Sequence, residues 1–259
     1  MPVPHHVVRF WRSLDERVGQ IRPTPWGAVV THERFPGIWD TNYARVDGPP
    51  GDLTVAEIAA VLVPALREIG ADVFHVVMFD PEGSANLMAE LSTLGHALSW
   101  DAVMELTAEP TVVPEARVEE LAIGPQLWRR VQESMRLFGV ADRAIIAQLR
   151  RLESDVLAPA GKRWFGVRDG GRVLSMAALV QLDGVGYVDN VATFPEARGL
   201  GLASAVTARI ADEARAGGAD HVCLFADPED RAVVRMYERL GFRIVGRVAS
   251  TKGSIPGEP

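Results

Sequence analysis

The sequence predicts an α/β (α+β) protein built as two successive halves, and three observations predict it. Short runs rich in β-branched and aromatic residues alternate along the chain with amphipathic stretches of helical period. Several helical stretches close on a glycine, and in the second half strand-like runs are joined by Asp-Gly turns suited to hairpins. Between the halves, Ala108-Glu109-Pro110-Thr111-Val112-Val113-Pro114-Glu115 has two prolines and no period, which places a domain boundary there. The expected domains are 1–110 and 111–252, followed by a disordered tail at 253–259.

In the first half, Val7, Val8, Phe10, Trp11, Leu14 and Val18 form a helical face closed by Gly19. Strand-like runs follow at 28–31, 43–46 and 73–79. Thr54-Val55-Ala56-Glu57 has capping-box form and opens a helix through Ile58, Leu62, Leu66 and Ile69, closed by Gly70. A helix fits 84–94 and a strand 98–107. The second half reads as a strand at 116–122, helices at 125–138 and 141–157, and strands at 163–168, 172–182 and 185–193. A helix at 200–216, a strand at 221–225, a helix at 229–240 and a strand at 242–249 complete it.

Composition narrows the function. The 259 residues carry a net charge of −7, and the first 110 hold 7 basic against 15 acidic side chains, the remainder 20 against 19. Neither half has the basic excess of a nucleic-acid binder. No apolar run approaches the ~18 residues a membrane-spanning helix needs, so no membrane partner is expected. Cys223 is the single cysteine and the beginning of the chain lacks a secretory pattern, which points to a cytoplasmic protein without disulfides or a Cys-based metal site. The six histidines lack metal-ligand spacing, and no metal is expected. Only Lys162 and Lys252 are lysine among the basic residues, an arginine bias typical of GC-rich bacterial genomes. A monomer or homodimer is expected.

The informative segment is Val191-Ala192-Thr193-Phe194-Pro195-Glu196-Ala197-Arg198-Gly199-Leu200-Gly201-Leu202-Ala203-Ser204, a strand passing through a glycine-containing turn into a helix. Free N–H groups at such a helix N-terminus bind phosphate, and the glycines let backbone approach the anion. A nucleoside-triphosphate loop is excluded because no Gly-Lys-Ser/Thr follows. A dinucleotide fingerprint lacks its third glycine and its βαβ setting.

Arg198-x-x-Gly201-x-Ala203, after a strand ending in Val-Ala-Thr, resembles the acetyl-CoA pyrophosphate loop of the GNAT superfamily of N-acetyltransferases. Downstream, Asp230-x-x-Val233-x-x-x-Tyr237-Glu238-Arg239-Leu240-Gly241-Phe242 resembles that family's Tyr-Glu-x-Leu-Gly-Phe helix and turn, with Asp230 where many members have Asn. The resemblance covers roughly 116–249. It implies a mixed, mainly antiparallel central sheet flanked by helices, and acetyl transfer from acetyl-CoA to a primary amine by direct attack, a small molecule before a protein.

By that resemblance the strand at 185–193 splays from the one at 221–225 to admit pantetheine. Val191 and Thr193 flank Ala192 and bond its amides. Arg198, Gly199, Leu200, Gly201, Leu202, Ala203 and Ser204 hold the pyrophosphate, and Asp230 lies beside the cofactor. Tyr237 matches the general acid that protonates the departing thiolate; its alternative is a core aromatic. Asp189 is the candidate base, or else a carboxylate that caps a turn or pairs with an arginine. Trp128, Met135 and Phe138 are core, or an apolar wall for the acceptor. Cys223 reads as a small buried hydrophobe.

The first half echoes the second: Phe79-Asp80-Pro81-Glu82 with Leu91-Ser92-Thr93-Leu94-Gly95 parallels Phe225-Ala226-Asp227-Pro228-Glu229 with Tyr237-Glu238-Arg239-Leu240-Gly241. Leu91 falls at the Tyr237 position, and Gly48-Pro49-Pro50-Gly51 stands in place of the phosphate loop. The expectation is therefore a tandem protein whose first domain is a degenerate copy. The other readings are an acyl-CoA-binding or regulatory module without turnover, and a protein N-terminal or lysine acetyltransferase.

Overall fold

The computed structural model describes residues 2–256. Its elements are α1 (His5–Val18), β1 (Gln20–Thr24), β2 (Gly27–Thr31), β3 (Tyr43–Val46), α2 (Val55–Ile69), β4 (Val73–Met78), α3 (Ala85–Thr93), β5 (Ala97–Leu106) and β6 (Glu119–Glu120). There follow α4 (Pro125–Leu137), α5 (Arg143–Leu152), β7 (Arg163–Asp169), β8 (Arg172–Leu182), β9 (Val185–Thr193), α6 (Leu202–Ala216), β10 (His221–Ala226), α7 (Arg231–Arg239) and β11 (Phe242–Ser254). Among the described residues no helix is long and apolar enough to cross a membrane. The chain forms two compact units, the first made of 1–103 and 245–259, the second of 104–244.

In the first unit β1–β2 and β2–β3 are antiparallel, β3–β4 is parallel across α2, and β4 runs antiparallel to the end of β11, Met78 facing Ala249 and Val73 facing Ser254. Thr54 and Glu57 close the capping box the sequence suggests, and Gly70 ends α2 in the left-handed conformation. Ile58, Leu62 and Leu66 then face Phe74, Val76 and Met78, all fully buried. Burying each such side chain contributes about 2 kcal/mol.

β1 lies where no strand was expected from the sequence; as an edge strand it can spare the N–H that Pro23 lacks. Two expectations need correction here. The boundaries expected at 110 and 252 fall instead at 103/104 and 244/245, because the last strand belongs to the first unit, where it satisfies the edge of β4. The tail expected to be disordered from 253 is partly ordered: Gly253 and Ser254 pair with Phe74 and Val73, and Ile255 is buried in the core. Residues 257–259, also assigned to that tail, lie outside the described residues.

The second unit has the predicted hairpin ladder: β6–β7, β7–β8 and β8–β9 are antiparallel, and β9–β10 is parallel across α6. This is the mixed, mainly antiparallel sheet flanked by helices. Its core sets Leu127, Val131 and Met135 of α4 and Ile146 of α5 on Trp164, Met176, Ala178 and Phe194. Met135 is thus core and Trp128 packs beside it, while Phe138 is exposed. The strand expected at 116–122 shrinks to Glu119–Glu120. The helix expected at 141–157 is α5 followed by one π-helical turn at Glu153–Leu157.

Candidate active site

β9 organises the site. Its parallel ladder with β10 runs from Val185–His221 to Val188–Leu224 and stops, although β9 continues to Thr193 and β10 to Ala226. On its other edge the register with β8 slips: Ala178 faces Asp189, but Met176 faces Ala192, so β9 carries one extra residue. This bulge centres on Asn190, whose φ of 52° lies in the left-handed region. Phe194 N–H donates to Leu174 O, and the Ala192 carbonyl accepts from Ser175 Oγ. By strand alternation, Val191 and Thr193 therefore present their backbone groups to the gap beside β10, with Ala192 turned to β8. The gap is flanked by backbone groups that the β9–β10 ladder leaves unpaired, with the Thr193 carbonyl accepting from Arg198 Nε.

Phe194 leads into a short turn at Pro195–Ala197, then Arg198, Gly199, Leu200 and Gly201. Both glycines require their lack of a side chain: φ is 78° at Gly199 and 72° at Gly201. Open space lies over each, and Leu200 is exposed. α6 begins at Leu202, two residues later than expected, and its first internal bond is Ala205 N–H to Gly201 O at 3.1 Å. The amides of Leu202, Ala203 and Ser204 are therefore free of the helix ladder; no side chain caps them and no acid sits in the first turn. Arg198 Nε donates to Thr193 O at 3.3 Å, which ties the loop to the end of β9. A hollow of about 400 Å³ adjoins the loop, lined by Leu200, Gly201, Ser204, Met236, Arg239 and Leu240 among others.

α7 supplies Tyr237. Asp230 caps this helix, its Oδ1 accepting from Ala232 N at 3.2 Å and Val233 N at 3.1 Å. The role expected for Asp230 beside a cofactor is thus matched by a structural one. Tyr237 is buried and edge-on to Phe242, with centroids 6.0 Å apart. Its hydroxyl has no hydrogen-bond partner among the described residues, and its oxygen is not sealed from solvent. Burial first, then the Asp230 carboxylate, push its pKa far above the ordinary value, so it remains a proton donor. Gly241 then closes α7 at φ 96°, and a Cβ there would lie 2.1 Å from Ala108 O. Thr107 and Ala108 donate to Gly241 O, and Thr111 to Arg239 O, so the segment after β5 is strapped across the end of the tyrosine's helix.

Asp189 is held in an ion cluster that sequence reasoning missed. Lys162 Nζ lies 2.7 Å from Asp189 Oδ2 and 2.7 Å from Glu153 Oε1. Asn190 N donates to Asp189 Oδ1 at 2.8 Å, and Asn190 Nδ2 reaches Glu153 Oε1 at 3.2 Å. Burial alone would depress the Lys162 ammonium, but Asp189 and Glu153 outweigh it and raise its pKa; Glu153 is raised by its own burial. The signal available was the rarity of lysine in an arginine-rich chain. Cys223 is buried and its thiol pushed up to about 12, by burial and then Glu105, consistent with a small core residue.

Residues 128–242 match the model of the acetyltransferase (GNAT) family. A functionally unknown conserved protein from Staphylococcus epidermidis has a similar fold, with a TM-score of 0.71 at 13% identity over 92% of this chain and 95% of that one. A GCN5-related N-acetyltransferase from Kribbella flavida gives 0.66 at 19% identity over 100% and 97%. One from Sphaerobacter thermophilus gives 0.53 at 21% over 79% and 70%. At these identities the likeness is one of fold. No curated protein matches the chain.

Proposed function

We propose, taking as premise that residues 128–242 are a GNAT acetyltransferase domain, that the second unit transfers acetyl from acetyl-CoA to a primary amine, on a small molecule rather than a protein. The observation that carries this reading is the conjunction, on one strand and the helix after it, of a parted β9 edge and an uncapped α6 N-terminus. Val191 and Thr193 would bond the pantetheine amides. Arg198, Gly199, Leu200, Gly201, Leu202, Ala203 and Ser204 would surround the pyrophosphate, the α6 amides donating to it. The neighbouring hollow would take the nucleotide end.

The chemistry follows from positioning. The neutral amine attacks the thioester carbonyl carbon, a C–N bond forms and the carbonyl oxygen takes the electron pair. Collapse breaks the C–S bond, the Tyr237 hydroxyl protonates the departing thiolate, and the proton lost by the amine passes to solvent. Asp189 has one oxygen on Lys162 and the other on the Asn190 amide, so its carboxylate is better suited to holding β9 than to receiving the amine's proton. We expect the acidic limb of the pH-rate profile to survive Asp189→Asn.

Calorimetric titration of acetyl-CoA into the full chain, followed by an amine screen read by thiol release, tests this function. Binding with thiol release supports it. Binding without release to any amine favours the non-catalytic acyl-CoA module, and absence of binding removes both. We extend the reading to the first unit as a degenerate copy of the same fold, supported by its own antiparallel pair, crossover helix and parallel pair.

A further inference from the structure

We propose that Glu153, Lys162 and Asp189 are positioning residues: an ion triad, buried at Glu153 and Lys162 and part-exposed at Asp189, that holds the Asn190 bulge and so keeps β9 parted from β10. Two described non-glycine residues have positive φ. Asp183 sits in the turn before Gly184, where such a conformation is ordinary, whereas Asn190 sits inside a strand. Asparagine tolerates this region better than most side chains, but a bulge inside a strand still has to be fixed by its surroundings. The triad does this. Asp189 fixes the Asn190 amide N–H, Glu153 receives the Asn190 side chain, and Lys162 fixes both carboxylates.

The three charges come from different places: Glu153 begins the π-helical turn after α5, Lys162 immediately precedes β7, and Asp189 lies on β9. The bulge is thereby tied to the helix pair as well as to the sheet. Lys162 and Glu153 are 3% and 5% exposed, and Glu153 Oε2 has no partner. A buried arrangement of this kind is a poor source of net stability, and its use is conformational specificity. The conformation specified is the one in which the ladder ends at Val188–Leu224, leaving Val191 and Thr193 facing the gap. Were the extra residue squeezed out, the alternation would flip: Val191 and Thr193 would turn their backbone groups to β8, Asn190 and Ala192 would face β10, and the gap would lose the two residues that now line it.

Residue-resolved amide hydrogen exchange on the full, unliganded chain tests the triad. In Lys162→Met, exchange at Val191 and Thr193 should slow about tenfold as the bulge closes and their amides turn to partners on β8, whereas a merely loosened fold would exchange faster throughout. Adding Asn190→Gly should reverse the slowing, since glycine takes the bulged φ without support. Should Lys162→Met fail to fold, Asn190→Val keeps all three ions, disfavours positive φ, and should slow the same two amides. Unchanged or faster exchange at Val191 and Thr193 in the folded variants overturns the proposal.

A second arm rests on the acetyltransferase reading: acetyl-CoA affinity should fall about tenfold in Lys162→Met and recover on adding Asn190→Gly. Slowed exchange in a protein whose wild type binds no acetyl-CoA would support the triad and overturn the cofactor reading instead.

Discussion

The same connection is built twice in this chain, once closed and once open. In the first unit β3 leads through residues 47–54 into α2 and back to β4; in the second β9 leads through residues 194–201 into α6 and back to β10. At α2 the N-terminal amides are spoken for. Thr54 Oγ1 accepts Glu57 N–H, Glu57 Oε2 accepts Thr54 N–H at 2.8 Å, and Glu90 Oε2 accepts Val55 N–H at 3.0 Å. Two carboxylates therefore occupy the place an anion would take. At α6 the amides are uncapped and no carboxylate sits in the first turn. The strands differ in the same sense. β3 pairs with β4 to its last residue, Val46, and Phe79 N–H extends the ladder to Val46 O, while β9 runs five residues past its last partner. One crossover spends its polar groups on its own stability, and the other leaves them uncapped.

The contrast is broken most strongly at the α7 tyrosine, whose counterpart under the degenerate-copy proposal is buried Leu91. Tyr237→Phe should lower kcat about a thousandfold with KM nearly unchanged. Because the hydroxyl bonds nothing in the described structure, Tm should hold, and steady-state kinetics beside a thermal melt would show this split. The next effect separates the units by pH. Burial depresses His75 in the first unit to about 4, from an ordinary value of 6.5. The unfolded chain therefore binds the proton more readily than the fold, and stability is complete above pH 6.5. As pH falls from 6.5 toward 4, about 3 kcal/mol is lost. Denaturant titrations of the wild type and His75→Asn should differ by this slope, since the other shifted groups, among them Asp15 raised to about 6, are common to both.

Gly201→Glu would make α6 resemble α2 by placing a carboxylate at its start, at a φ disfavoured for any side chain. Acetyl-CoA affinity should drop about a hundredfold, close to 2.7 kcal/mol. The smallest change sharpens the other side: Thr54→Ala should cost about 1 kcal/mol of stability by removing the cap of α2, and leave acetyl-CoA affinity untouched.

Much of this was legible from local chemistry. The capping box at Thr54 and Glu57, the hairpin turns at 169–171 and 183–184, and the glycine loop before α6 are encoded within a few residues of where they act. The loop before α6 and the helix that carries Tyr237 lie where the sequence placed them, while the role of Tyr237 came from the family resemblance. β1 was not legible, because its edge position excuses a proline that would forbid an interior strand. The ending of β11 was hidden for a related reason: Ala249–Ser254 have weak strand character of their own, and become a strand because β4 offers them an edge.

By itself the sequence determined the order of elements, the turns and caps between them, and the loop whose glycines permit a left-handed backbone, because each depends on neighbours in the chain. The tertiary structure alone decided which unit the last strand joins, and where β9 leaves β10. It also brought together Glu153, Lys162 and Asp189, three charges spread over 37 positions of the chain. Strand partners and buried ion pairs are chosen by packing across space, where sequence separation carries no information.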